Sequence, residues 1–129
     1  MSRHIALGLT AIISAALGAA AVQGLHAQAK PKAYTVTEVE VTDDSAAVAA
    51  YVPLVVGAIK AAGGRNFNTP GGKIIGFVGE APKRVGINEF DSLEQAQAFL
   101  NSATYKNLAP QRDKAEKITR QYIVEATGN

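Results

Sequence analysis

Apolar and polar residues alternate strictly over residues 33–41, AYTVTEVEV, and Val and Thr dominate the run. A period of two built from β-branched residues marks a strand with two unlike faces. Tyr34, Val36, Glu38 and Glu40 fall on one face; Ala33, Thr35, Thr37, Val39 and Val41 fall on the other. The period then changes. Thr42-Asp43-Asp44-Ser45 offers capping oxygens and negative charge, which suit a helix N-terminus. Val48, Tyr51, Val52, Val55, Val56, Ile59 and Ala62 follow at the three- and four-residue spacing of one apolar helical face. Pro53 predicts a kink or restart inside this helix, because it has no N–H for the Ala49 carbonyl and its ring crowds that turn. Gly63-Gly64 supplies the stop.

Arg65 to Asn68 open a second strand, Thr69-Pro70-Gly71-Gly72 is a turn, and Lys73 to Gly79 (KIIGFVG) resume as strand. Glu80 to Lys83 turn the chain again, and Arg84 to Phe90 (RVGINEF) form the next strand. Ser92-Leu93-Glu94-Gln95 is a capping box, with the Ser92 hydroxyl and the Gln95 side chain each reaching the other's backbone amide. Leu93, Ala96, Phe99 and Leu100 form the apolar stripe behind it. A second helical piece from about Thr104 carries Tyr105 and Leu108, with Pro110 limiting its regularity. Residues 118–126 (ITRQYIVEA) alternate as a last strand, and Gly128-Asn129 is a tail. The order of elements predicts an α+β sandwich, with helices on one face of a mostly antiparallel sheet. Two helices cannot cover both faces. Val and Ile occupy both alternating sets of the strands, so a second copy is expected on the other face, making a homodimer.

Hydropathy at the start of the chain changes the picture. MSRHIALGLTAIISAALGAAAVQGLHAQAKPK places Arg3 before a long uncharged stretch and Ala27-Gln28-Ala29 before Lys30. That is the order of a secretory signal peptide. Ile5 to Val22 just reach the length of a membrane span, so an uncleaved anchor competes; the Ala-x-Ala site favours cleavage. The expectation is a signal peptide over 1–29, one domain over 30–129, a periplasmic or secreted location, and no stable membrane insertion after cleavage. About 100 residues make one compact domain.

Cleavage would also remove Met1, His4 and His26, leaving residues 30–129 without His, Cys, Met or Trp. Ser-His-Asp and Cys-His nucleophiles, thiol redox centres, Cys/His zinc sites and haem on His, Cys or Met are then excluded by ligand inventory. Neither metal nor cofactor is expected. A net charge of +1 once Arg3 is gone makes nucleic acid a poor partner. Gly71-Gly72 is no phosphate loop, for it lacks the Lys-Ser/Thr ending and no helix follows. Asp43-Asp44 reads as a cap and not a metal site, with no third carboxylate nearby in sequence.

AYTVTEVEVTD, Tyr51, Gly63-Gly64-Arg65, Pro70-Gly71-Gly72-Lys73, Arg84-Val85, NEFDSLEQAQAF, and then Ser102, Tyr105 and Arg112 before YIVEATG together resemble the domain of unknown function 1330 family over residues 33–127. The resemblance implies a ferredoxin-like fold that dimerises through its sheets into an α+β barrel, akin to small monooxygenase and isomerase domains. It implies no reaction. Asn68-Thr69-Pro70 departs from the pattern, where relatives tend to place an apolar residue and often an arginine.

Five side chains are candidates for chemistry. Glu89 shares a strand face with Val85 and Ile87, where apolar neighbours could raise its pKa and make it a general acid or base; an ion pair with an arginine is the plainer reading. Glu38 is a candidate base facing a barrel interior, or a cross-strand salt-bridge partner. Arg112 could hold a carboxylate ligand, or clamp Glu89 or helix-end carbonyls. Tyr105 could donate to a ligand oxygen, or be core with a wet hydroxyl. Tyr34 shares the face of Glu38 and is a candidate ligand contact. Arg65 and Arg84 read as solvated strand ends, and residues 106–117 (KNLAPQRDKAEK) as a solvated helix face. The expected role is binding of a small organic molecule. The alternatives are a cofactor-independent isomerase or monooxygenase-like enzyme, and a non-catalytic structural or stress-related interaction protein.

Overall fold

The computed structural model describes residues 30–128; the leader assigned to residues 1–29 lies outside them. The elements are β1 (Lys32–Val41), α1 (Ser45–Ala61), β2 (Arg65–Asn66), β3 (Arg84–Phe90), α2 (Leu93–Asn101), α3 (Ala103–Lys106), α4 (Ala109–Ala115) and β4 (Glu116–Ala126). The strands form one antiparallel sheet in the order β2-β3-β1-β4. This is the ferredoxin-like α+β arrangement expected from the sequence, with β1 paired along both edges, to β3 and to β4. No helix among the described residues is long and apolar enough to cross a membrane.

The core lies between the sheet and the helices. Ala33 of β1 and Phe90 of β3 pack with Ile59 of α1, Ala96 and Phe99 of α2, and Tyr105. Phe90, Phe99 and Tyr105 form a chain of ring contacts, with centroids 5.4 and 5.0 Å apart. Such offset and tilted geometry suits the ring quadrupoles. The caps fall where the sequence places them: Ala47 N–H donates to Asp44 Oδ1, and Gln95 N–H to the Ser92 hydroxyl. The reciprocal half of the box is displaced by one residue: the Gln95 side chain accepts from Asp91 N–H at 2.8 Å and not from the Ser92 amide. The Gln95 side-chain amide also donates to the Ala62 carbonyl, tying α2 to the end of α1.

The structure departs from expectation in four further places. First, α1 runs from Ser45 to Ala61 without a restart at Pro53. Tyr51 before the proline and Ile59 after it are both buried on the same sheet, and that shared face holds the two halves in one helix. Second, β2 stops after two residues, since Asn68 adopts a left-handed backbone (φ 53°) and its N–H folds back onto Asn66 Oδ1. Third, Lys73 to Gly79 form no strand. The β3 carbonyls such a strand would need are occupied: Phe67 N–H donates to Ile87 O and the Thr69 hydroxyl to Val85 O. Fourth, the helical piece expected from about Thr104 is two helices, α3 and α4, parted at residues 107–108; Pro110, expected to limit its regularity, sits in the first turn of α4, where its missing N–H costs nothing.

Candidate functional site

The alternation read in β1 sorts the candidate residues onto opposite faces of the sheet. On the face away from the helices, antiparallel register builds three cross-strand rows. Tyr34 lies between Glu89 and Val124, Val36 between Ile87 and Tyr122, and Glu38 between Val85 and Arg120. The Tyr34 hydroxyl donates to Glu89 Oε2 at 3.1 Å, and giving up that bond on ionisation raises the tyrosine's pKa, with desolvation adding to the rise. Phe67 stacks on Tyr34 with ring centroids 6.1 Å apart.

Glu38 is nearly buried and takes Arg120 at both oxygens, Nε at 2.7 Å from Oε2 and a terminal nitrogen at 3.3 Å from Oε1. That forked geometry is the strong form of a carboxylate–guanidinium pair. A β-bulge follows it directly. The register shifts between Glu38 and Val39, leaving Thr119 as the extra residue of β4, and the Thr119 hydroxyl bonds the Glu38 carbonyl. Arg120 keeps the regular register that sets it across from Glu38, and the shift brings Ile118 opposite Val39 and Glu116 opposite Val41.

The other face carries a cavity of about 90 Å³ between sheet and helices, well above the ~10–15 Å³ that one water needs. Val52, Val55, Val56 and Ile59 of α1 roof it, with Phe99 and Leu100 of α2, while Thr35, Thr37, Gly86 and Asn88 make its floor. Gly86 leaves the floor open: a Cβ there would meet only the Thr37 carbonyl, at 4.0 Å. Asn66 Nδ2 donates to Asn88 Oδ1 at 2.6 Å, and Asn88 Nδ2 to the Thr35 hydroxyl at 3.1 Å. The Gln121 amide donates to Thr37 Oγ1 at 3.0 Å and to the Tyr105 hydroxyl at 2.9 Å. Tyr105 accepts in that bond and keeps its own proton to donate.

Glu116 lies at the cavity's edge, at the α4–β4 junction, close to Arg84, Tyr51 and Gln121. Burial pushes its carboxyl pKa up, with the guanidiniums of Arg84 and Arg112 opposing. Burial likewise holds the Tyr51 hydroxyl in its neutral form, far above its ordinary range. A carboxyl group with a raised pKa and a tyrosine hydroxyl that keeps its proton, both beside an apolar roof, suit hydrogen bonding or proton exchange with a ligand oxygen.

Of the five candidates from the sequence, Tyr105 alone lines this cavity. Tyr34, Glu38 and Glu89 face away from it, and Arg112 sits outside it over the Tyr105 ring at 5.9 Å, with Asp113 at 3.5 Å. Glu89 bonds Tyr34 and not Arg112; the clamp considered between them is not formed. The residues that sequence reasoning missed are Asn88, Gln121, Gly86 and Glu116. Glu116 was read as part of a solvated helix face, yet β4 begins two residues earlier than expected. The sequence carries no signal for this: alternation carried back through Arg120 and Ile118 puts Glu116 on the face of Tyr122 and Val124, and only the bulge at Thr119 turns Ile118 and Glu116 to the covered face. Among the described residues no group of three or more His, Cys, Asp or Glu is placed to hold a metal ion.

The model of a family described as a domain of unknown function, DUF1330, matches residues 32–127. No curated protein matches the chain. Two solved structures of RPA0582, a protein of unknown function from Rhodopseudomonas palustris, are similar in fold. One aligns at 16% identity and a TM-score of 0.51, over 78% of this chain and 84% of that one. The other, of the methylated protein, aligns at 17% and 0.55, over 75% and 82%. A protein from Chloroflexus aurantiacus J-10-fl, provisionally named an antibiotic biosynthesis monooxygenase, aligns at 15% identity over 76% of this chain and 95% of its own; its TM-score of 0.43 is too low to carry an argument.

Proposed function

Because this chain belongs to the DUF1330 family, whose description names no reaction, we propose its function from its own cavity: it binds a small, mainly apolar organic molecule carrying one or two hydrogen-bonding oxygens. The observation behind this reading is the unfilled floor at Gly86 beneath an aliphatic roof, ringed by Asn88, Gln121 and Tyr105. An apolar enclosure with a few converging polar groups is what small-molecule sites share. The domain acts as a homodimer formed through the open sheet face, where Val36, Ile87 and Tyr122 form an apolar middle row between the polar pairs. It works after export, with residues 1–29 as a cleaved signal peptide.

Native mass spectrometry of the gently purified full chain tests the reading. A cleaved dimer carrying an adduct supports it, and Gly86→Leu, which fills the floor, should lose the adduct and keep the fold. An adduct that survives Gly86→Leu would move the site elsewhere.

Glu116 favours a second reading, a cofactor-independent isomerase or monooxygenase-like enzyme. Its carboxyl would exchange the proton and the Tyr105 hydroxyl would hold the developing oxyanion. In that reading Glu38 and Glu89 are poor bases, being committed to Arg120 and Tyr34. Once an adduct names a substrate class, Glu116→Gln should abolish turnover and retain binding; full turnover would remove Glu116 from the mechanism.

A further inference from the structure

Lys73 to Gly79 have the composition of a strand and none of its pairing. Ile75 is 76% exposed, Phe77 94% and Val78 97%. Apolar side chains so completely uncovered mark a surface that meets another. The segment leaves the domain after Gly71 (φ 90°) and returns through Gly79 (φ 71°). Both are left-handed positions that glycine adopts without strain.

A strand-like segment needs an unpaired edge. Within the protomer β1 is flanked by β3 and β4, and the outer carbonyls of β3 are held by Phe67 and Thr69. Among the described residues the remaining long edge is the outer side of β4, an 11-residue strand at the far end of the sheet from β2 and so away from this segment's own anchor points. It also presents Tyr122 and Val124, which are 43% and 47% exposed. An open edge of that length invites another strand. Charge selects the direction. The segment runs from Lys73 to Glu80, and β4 from Lys117 and Arg120 to Glu125. Antiparallel pairing sets Lys73 towards Glu125 and Glu80 towards Lys117, whereas parallel pairing would set like charges together.

We infer that residues 73–79 are an exchange arm, which adds as an antiparallel strand to the outer edge of β4 in a second copy of this chain. The inference rests on the dimer proposed above and goes further, because it assigns the dimer a second, main-chain contact outside the facing sheets. Backbone bonds in such strand addition give affinity while alternate side chains give register.

Hydrogen exchange on the full chain, at concentrations where sedimentation shows a dimer, tests it. Amides 74–78 should exchange at least ~10-fold more slowly than in an unpaired segment. The double variant Phe77→Asp, Val78→Asp alters only exposed side chains, so the protomer stays folded, and the dimer should weaken at least ~100-fold. The chain has no cysteine, so Ile74→Cys in one copy mixed with Val124→Cys in another, both exposed positions, should give an inter-chain disulfide.

A dimer whose arm amides exchange freely, and which survives the double variant, overturns the arm and leaves the facing-sheet dimer standing. A monomer at ~100 µM overturns both, since specific dimers of standard interface area persist at that concentration. An arm protected only on adding anionic phosphatidylglycerol vesicles, with sedimentation unchanged by the double variant, also overturns the proposal and assigns the arm to a lipid surface.

Discussion

On the open face of the sheet Glu38 meets Arg120 and Tyr34 meets Glu89, each pair within one cross-strand row. On the covered face Asn88, Gln121 and Tyr105 bond around the edge of a cavity, and Glu116 stands half-buried without a direct ion pair among the described residues. Polar groups on the open face satisfy one another and leave an apolar surface between them. Those on the covered face keep valence to spare: a tyrosine proton and a carboxyl group. The open face, which neutralises its own charges, suits the proposed contact with a second copy, and the covered face, which keeps free donors, suits the proposed ligand.

The largest break in that comparison comes from the covered face. Phe90 is 1% exposed and stacks on Phe99. Phe90→Ala should cost ~3–5 kcal/mol in urea unfolding, the range for a buried ring that leaves a void. A loss below ~1 kcal/mol would mean that the helix layer collapses onto the sheet and that the cavity is not rigid. Gly64→Ala presses on the same ring, placing a Cβ 2.7 Å from Phe90 and 2.9 Å from Ile59. It should cost less, ~1–3 kcal/mol, because both neighbours can shift a little.

The open face gives a smaller and asymmetric effect. Arg120 is 70% exposed at its side chain and Glu38 10%. Arg120→Ala strands a nearly buried carboxylate and should cost ~1–3 kcal/mol. Glu38→Gln frees an arginine that water can reach, and should cost under ~1 kcal/mol. Thermal unfolding of both variants at neutral pH, compared at equal dimer occupancy, gives the ratio. Equal losses would show that Glu38 is better hydrated than its burial implies.

Much of this difference between faces was legible in the alternation of AYTVTEVEV, because a period of two needs only sterics to be right. The Ser92 and Asp44 caps were legible for the same reason: each bond spans three residues. What failed was decided at long range. Asn68 turns left-handed and Thr69 caps a β3 carbonyl sixteen residues away, and together they deny KIIGFVG the partner its composition favours. Glu116 was hidden by charge, for KNLAPQRDKAEK looks solvated until β4 is seen to begin inside it. Arg112 and Glu89 were paired in expectation by charge alone, and the sheet stands between them.

The smallest effect tests whether Glu116 keeps the spare proton that sets the covered face apart. Burial raises its pKa above the ordinary 4.5, more than Arg84 and Arg112 lower it. A raised carboxyl pKa means that the folded protein binds the proton more tightly than the unfolded chain does. The stability it contributes is therefore complete below the unfolded value and is lost as pH rises through the folded one. Glu116→Gln mimics the protonated acid and should remove that slope. Melting temperatures of the two proteins between about pH 4 and pH 8 should diverge as pH rises, the parent falling relative to the variant and levelling off once the carboxylate is formed. Curves that stay parallel, or that diverge the other way, would place Glu116 in a charged state held by the two arginines. It would then be a fixed anion and could neither donate to a ligand oxygen nor exchange a proton with one, which would leave binding through Asn88, Gln121 and Tyr105 as the cavity's chemistry.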